Sequence, residues 1–145
     1  MAGRRIVAGL LLALAAGCAR QAEPETFVPD PADARQAVAA ALEAWKKGQP
    51  PGTVEGSSPR VQLVDGQRKP GQKLLEYQIL GNDHGKGPIT FLVRVTLDDP
   101  PEEQKVRFVV FGIDPLWVMR QEDYDMLARW ECAGGNDPNK AASER

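Results

Sequence analysis

The 145-residue chain has two cysteines, Cys18 and Cys132, and one histidine, His84. Two cysteines allow at most one disulfide, and one Cys with one His cannot build a zinc or iron–sulfur site. The same scarcity excludes a Ser-His-Asp or Cys-His catalytic arrangement, because neither cysteine has a positioned partner. His84 sits in Gly81-Asn82-Asp83-His84-Gly85-Lys86-Gly87, a run of turn-forming residues that reads as a solvated hairpin loop. That run also fails the Gly-x-x-x-x-Gly-Lys-Ser/Thr pattern of a phosphate-binding loop. Charge of one sign is lacking too. Eighteen Lys and Arg stand against 20 Asp and Glu, scattered along the chain, which gives no electrostatic footprint for nucleic acid. Asp98, Asp99, Glu102 and Glu103 do cluster around Pro100-Pro101. Their spacing is not that of a calcium loop, and they read as a stiff, exposed turn.

Long apolar runs are equally scarce. The longest is Ile6 to Ala16, broken only by Gly9 and too short to span a bilayer as a helix. Arg4 and Arg5 precede it, and Ala15, Ala16 and Gly17 lead from it into Cys18. This is the three-part layout of a secretory signal. The end Leu14-Ala15-Ala16-Gly17-Cys18 resembles a bacterial lipobox, with Ala15 where leucine is commonest. The resemblance implies a lipoprotein in which Cys18 is acylated, palmitate included, and becomes the first mature residue. One acyl chain anchors only marginally, whereas two or three hold a protein stably on a membrane. Ala19, in place of the Asp that often retains such proteins at an inner membrane, implies an outer-membrane home where two membranes exist. The organisation expected is a signal peptide over 1–17, a polar flexible tether over 18–30, one domain over 31–131 and a disordered tail over 132–145. Cys132 is then a leftover thiol in that tail. Cleavage removes two arginines and no acid, taking the net charge from −2 to −4.

Asp30-Pro31 opens the first regular element. Asp30 can cap free amides, Pro31 suits the first helical position, and Asp33 favours the positive end of the dipole. Ala34, Val38, Ala41, Leu42 and Trp45 then form one apolar stripe, and Gly48 stops the helix after Lys46 and Lys47. Gln49 to Pro59 reads as loop. Strand alternation follows in Leu75-Tyr77-Ile79, in Ile89 to Leu97 and in Val106 to Val110. It resumes at Leu116 to Arg120, with a shorter strand over Val61 to Val64. The connections 81–87 and 98–104 are too short for crossover helices, so the strands are expected to be antiparallel. Gln121 to Trp130 suits a short second helix with an acidic first turn, Glu122, Asp123 and Asp125. The fold class expected is α+β: one helix laid on a three- to four-stranded antiparallel meander. This element order resembles cystatin-like and NTF2-like rolls. The extra helices usual in NTF2-like domains are missing.

Two segments suggest function. Gln62-Leu63-Val64-Asp65-Gly66 matches the Gln-x-Val-x-Gly signature of cystatins, and Pro115-Leu116-Trp117 approximates their second, Pro-Trp element. That resemblance implies a wedge that blocks cysteine proteases. In Gly112 to Arg120, Gly112 and Pro115 interrupt an apolar strand, and such local conflicts concentrate at strained or functional positions. Asp114 could point between helix and sheet beside Tyr77 and Trp117. There it would be the acid or base of a pocket that binds or transforms a small ligand, as the resemblance to NTF2-like domains implies, or else it caps its own turn. The function expected is a lipid-anchored, non-enzymatic binding or envelope-interaction module. Its membrane contact is the N-terminal lipid, with a possible envelope protein as partner and no nucleic acid, metal or cofactor.

Overall fold

A computed structural model describes residues 27–83, 85 and 87–133, with side chains as far as residue 130. The signal, Cys18, most of the tether, His84, the Cys132 thiol and the tail beyond 133 lie outside the described residues.

Helix α1 runs Pro31–Lys46, and the Asp30 carboxylate accepts from the Ala32 amide at 2.8 Å. Its whole expected stripe is buried, with Ala37 and Ala44 beside it. The last turn closes through the Lys47, Gly48 and Gln49 amides, which donate to the Glu43, Trp45 and Ala44 carbonyls.

Six strands follow: β1 Gly52–Val54, β2 Val61–Val64, β3 Lys73–Asp83, β4 Ile89–Asp98, β5 Glu102–Phe111 and β6 Leu116–Arg120. They form one sheet in the order β1-β2-β6-β5-β4-β3. The β3–β6 meander is antiparallel throughout. The sheet is wider than three or four strands because β2 adds to β6 in parallel, Val61 beside Leu116 and Val64 beside Met119. Residues 52–54, read as loop, pair antiparallel with β2 and bury Val54. Helix α2, Gln121–Ala133, closes the chain three residues later than its pattern suggested.

The two sheet faces are covered by different helices. Ile89, Phe91, Val93, Val95 and Leu97 of β4 all face α1, with Val106, Phe108 and Val110 beside them on β5. The opposite face carries Phe111 and Trp117, whose rings stack at 6.5 Å, and Tyr124 of α2 lies 5.7 Å from Phe111. On β3 the alternation shifts: a bulge between Leu74 and Glu76 buries Leu74 and turns Leu75 outward.

The elements have a polarity that positions everything below. At one end lie the start of α1, the starts of β2, β4 and β6 and the end of β5. The Gly112 amide there donates to the Phe27 carbonyl at 2.8 Å. At the other end lie the end of α1, the ends of β2 and β6, the start of β3 and the β4–β5 turn. With 16 residues, α1 spans about 24 Å between them.

Candidate functional site

The far end of α1 borders an open groove of about 670 Å³. Its construction starts from strand periodicity. Val61 and Leu63 of β2 and Leu116 and Val118 of β6 are buried under α1, and in phase with them come Asp65 and Arg120. Both strands therefore end by carrying a charge into the interior. The Arg120 Nε lies 3.2 Å from Asp65 Oδ1, with the side chains 7% and 0% exposed. Arg68, one turn further along the chain, brings its Nε to 3.5 Å from Asp65 Oδ2, a Coulombic contact too long for a good hydrogen bond.

Two guanidiniums thus share one carboxylate. Aromatic faces take up part of the surplus positive charge: Arg68 lies over Trp45 at 4.1 Å and Arg120 over Phe108 at 5.8 Å. Arg68 Nη1 also donates to the Gln49 carbonyl at 3.2 Å. Burial pulls the Arg68 guanidinium below its ordinary pKa, and nearby Arg120 acts the same way, against the opposing pull of Asp65.

The loop 65–72 that forms one wall is pinned from three sides. Trp45 Nε1 donates to the Gln72 carbonyl at 3.3 Å. The Gln72 side-chain Nε2 and Lys69 Nζ each reach Glu102 Oε2 at 3.4 Å. The Gly66 amide and the Gln67 side chain donate to the Asp123 carboxylate of α2 at 2.7 and 3.1 Å. Hydrogen bonds from Gln104, most strongly, and from Gln72 and Lys69 hold the Glu102 carboxyl below its usual range. The opposite wall is Lys46 to Pro51, the exit of α1. Lys46, Lys47, Arg68, Lys69 and Lys73 line this groove, and Asp65 is its one acid.

The residues singled out in the sequence are not brought together. Tyr77 lies on β3 under α1, where its hydroxyl donates to Glu43 at 2.9 Å. Burial first, then Glu43, pushes its pKa up to about 12. Asp114 is exposed at the end of the sheet where β6 starts and pairs with Arg60 at 2.9 Å, so it neither caps its own turn through its backbone nor enters an interior pocket. Trp117 is on the other sheet face, stacked on Phe111. Beneath the helix, the crevice among Val38, Leu42, Trp45 and Phe108 is too small to hold water. Gln62 to Val64 form an interior strand between β1 and β6, with Leu63 and Asp65 buried, rather than a projecting wedge. Gly112 does make the expected bend, at φ +88°, where a Cβ would meet the Pro115 carbonyl at 2.9 Å.

Among the described residues, no three His, Cys, Asp or Glu side chains gather as a metal site, and no helix is long and apolar enough to cross a membrane. Comparison with protein-family models, curated proteins and solved structures finds no match for this chain.

Proposed function

We propose that this chain is a lipid-anchored extracytoplasmic binding module, tethered through Cys18, that holds its groove out from the membrane. The observation that carries this reading is the polarity of the fold. The tether arrives at Phe27, bonded to Gly112, whereas the groove lies at the opposite end of α1. Exposed Phe27, Val28 and Ile113 gather at the arrival point, at 51, 37 and 62% exposure. Apolar side chains there suit a surface held close to lipid.

A binding role is favoured over a catalytic one by the kind of groups in the groove. Arginine does not release its proton in proteins. The one carboxylate, Asp65, is engaged by two guanidiniums, and the lysines stand on an exposed rim. A pinned, open groove with cationic edges recognises a ligand without needing to exchange protons with it.

The test places environment-sensitive labels at Lys47→Cys and Ile113→Cys in a Cys132→Ser background, in the acylated chain reconstituted into vesicles with brominated lipids. Quenching of the label at 113 with the label at 47 unaffected is expected. Equal quenching would overturn the orientation. Labelled palmitate that persists in Cys18→Ser would overturn the anchor.

A further inference from the structure

Resting on the groove as the binding face, we propose that its ligand is a small phosphate-bearing molecule with a neutral body. Charge supplies the first argument. The chain is acidic overall, at −2, yet this groove is lined by five cations and one carboxylate. That carboxylate, Asp65, lies between Arg68 and Arg120 and leaves nothing to neutralise the lysines. Lys69 is paired with Glu102. Lys46, Lys47 and Lys73 are exposed and have no ion-pair partner among the described residues. The C-terminus of α1 offsets about half a charge of Lys46 and Lys47 together, Asp98 stands across from Lys73 on β4, and the remaining positive field faces the groove.

The identity of the anion follows from how that charge is carried. A carboxylate brings one negative charge in a plane, best matched by the fork of an accessible guanidinium. Here Arg68 is turned to Asp65 and Gln49, and the accessible cations are flexible ammonium groups on two walls. A phosphoryl group, with nearly two charges and three acceptor oxygens, can be met from both sides at once.

Size and lining describe the remainder of the ligand. A space of about 670 Å³ far exceeds one phosphate and lies within the range of small-molecule sites. Pro50, Pro51, Pro70 and outward-turned Leu75 offer rigid apolar surface for an uncharged body. A nucleic acid is disfavoured, since a polyanion would extend past the groove onto an acidic protein.

The experiment titrates the full-length chain in neutral detergent with glucose 6-phosphate, glucose, glutamate and a short oligonucleotide, each by calorimetry. Binding of glucose 6-phosphate but not glucose is expected. It should weaken as pH falls from 7 to 5, where the phosphate loses its second charge near pH 6 while every lysine keeps its own. Lys47→Ala with Lys73→Ala should lower affinity about tenfold or more, as loss of charge-assisted contacts does, and Lys47→Arg with Lys73→Arg should retain it. Flotation of the unacylated chain from Ala19 onward with phosphatidic acid in phosphatidylcholine vesicles, against pure phosphatidylcholine, separates two supporting outcomes. Lysine-dependent flotation assigns a lipid headgroup, and its absence beside glucose 6-phosphate binding assigns a soluble phosphoester. Glutamate binding as tightly as glucose 6-phosphate, an oligonucleotide binding tighter than both, or binding untouched by the lysine changes would each overturn the proposal. So would binding of no probe. In every such case, the vesicle-quenching pattern at positions 47 and 113 still decides the tethered-module reading on its own.

Discussion

The two ends of this molecule each hold an Arg–Asp pair, and the shorter pair is the weaker one. Arg60 and Asp114, at the end near Phe27, approach to 2.9 Å with side chains 69 and 54% exposed. Arg120 and Asp65, at the groove end, stand 3.2 Å apart and are almost wholly buried. In water the short contact gains little Coulomb energy and orders two mobile side chains, so such a pair adds little to stability. In the interior neither charge can be left alone, and breaking one partner is strongly destabilising even where the pair itself contributes little. Distance therefore says less about an ion pair than its surroundings do. The groove end also ties four segments together through Trp45, Gln72, Glu102 and Asp123. The end at Phe27 is held by the Gly112–Phe27 and Leu116–Arg60 backbone bonds and by Ser57, which bridges Val54 and Val61, and it carries exposed apolar side chains.

The largest test of this contrast is Asp65→Ala. It strands Arg68 and Arg120 facing each other without their carboxylate, and a loss of about 3–5 kcal/mol is expected in denaturant melts. A loss below 1 kcal/mol would show that the aromatic faces and the Gln49 carbonyl satisfy both guanidiniums unaided. Trp45→Ala should come close behind, at about 3–5 kcal/mol for a truncated buried aromatic. It also removes the surface under Arg68 and the bond to Gln72. Arg94→Ala, on the solvent side of β4, is its control and should change little. Equal melting temperatures for the two would break the assignment of faces.

Between these extremes stands Tyr77. Its folded-state pKa is raised, to about 12. The contribution from its hydroxyl is therefore fully present below the unfolded value of about 10 and lost as pH rises through the folded one. Thermal melts of wild type should fall more steeply between about pH 10 and 12 than those of Tyr77→Phe. Parallel curves would show that Glu43 does not hold this proton. The smallest effect belongs to Asp114→Ala, expected to leave the denaturant midpoint almost unchanged, and less changed still at high salt. A larger loss would mean that the end near Phe27 is as tightly determined as the groove end.

Helix α1 was legible down to its bounds because each of its signals is local. The Asp30 cap, the proline after it, the stripe and the stop at Gly48 all lie within twenty residues. Strand β4 was legible for the same reason, every second residue being buried as its alternation implied. On β3 the pattern misled by one residue, since a bulge answers to the partner strand rather than to the segment's own alternation. The candidate site was less accessible. Tyr77, Asp114 and Trp117 looked close because Gly112 and Pro115 bend the chain, yet the bend faces solvent and the three side chains lie on different surfaces. A usable signal did exist: Asp65 and Arg120 continue the core phase of Val61-Leu63 and Leu116-Val118, so each strand announces a charge directed inward.

The sequence by itself determined the α+β class, the capped helix with its apolar stripe, and a meander with a clear inward face. Those follow from periodicity and turn chemistry within short windows, where a residue's neighbours along the chain are also its physical environment. Only the tertiary structure decided that β2 lies parallel to β6 and that residues 52–54 join the sheet. It alone gathered Asp65, Arg68 and Arg120 beneath Trp45, and set a cationic groove at the end of α1 opposite Phe27. The β2–β6 pairing and the Asp65–Arg120 contact join partners some fifty residues apart in the chain, whose meeting is governed by which buried surfaces and buried charges can be satisfied together.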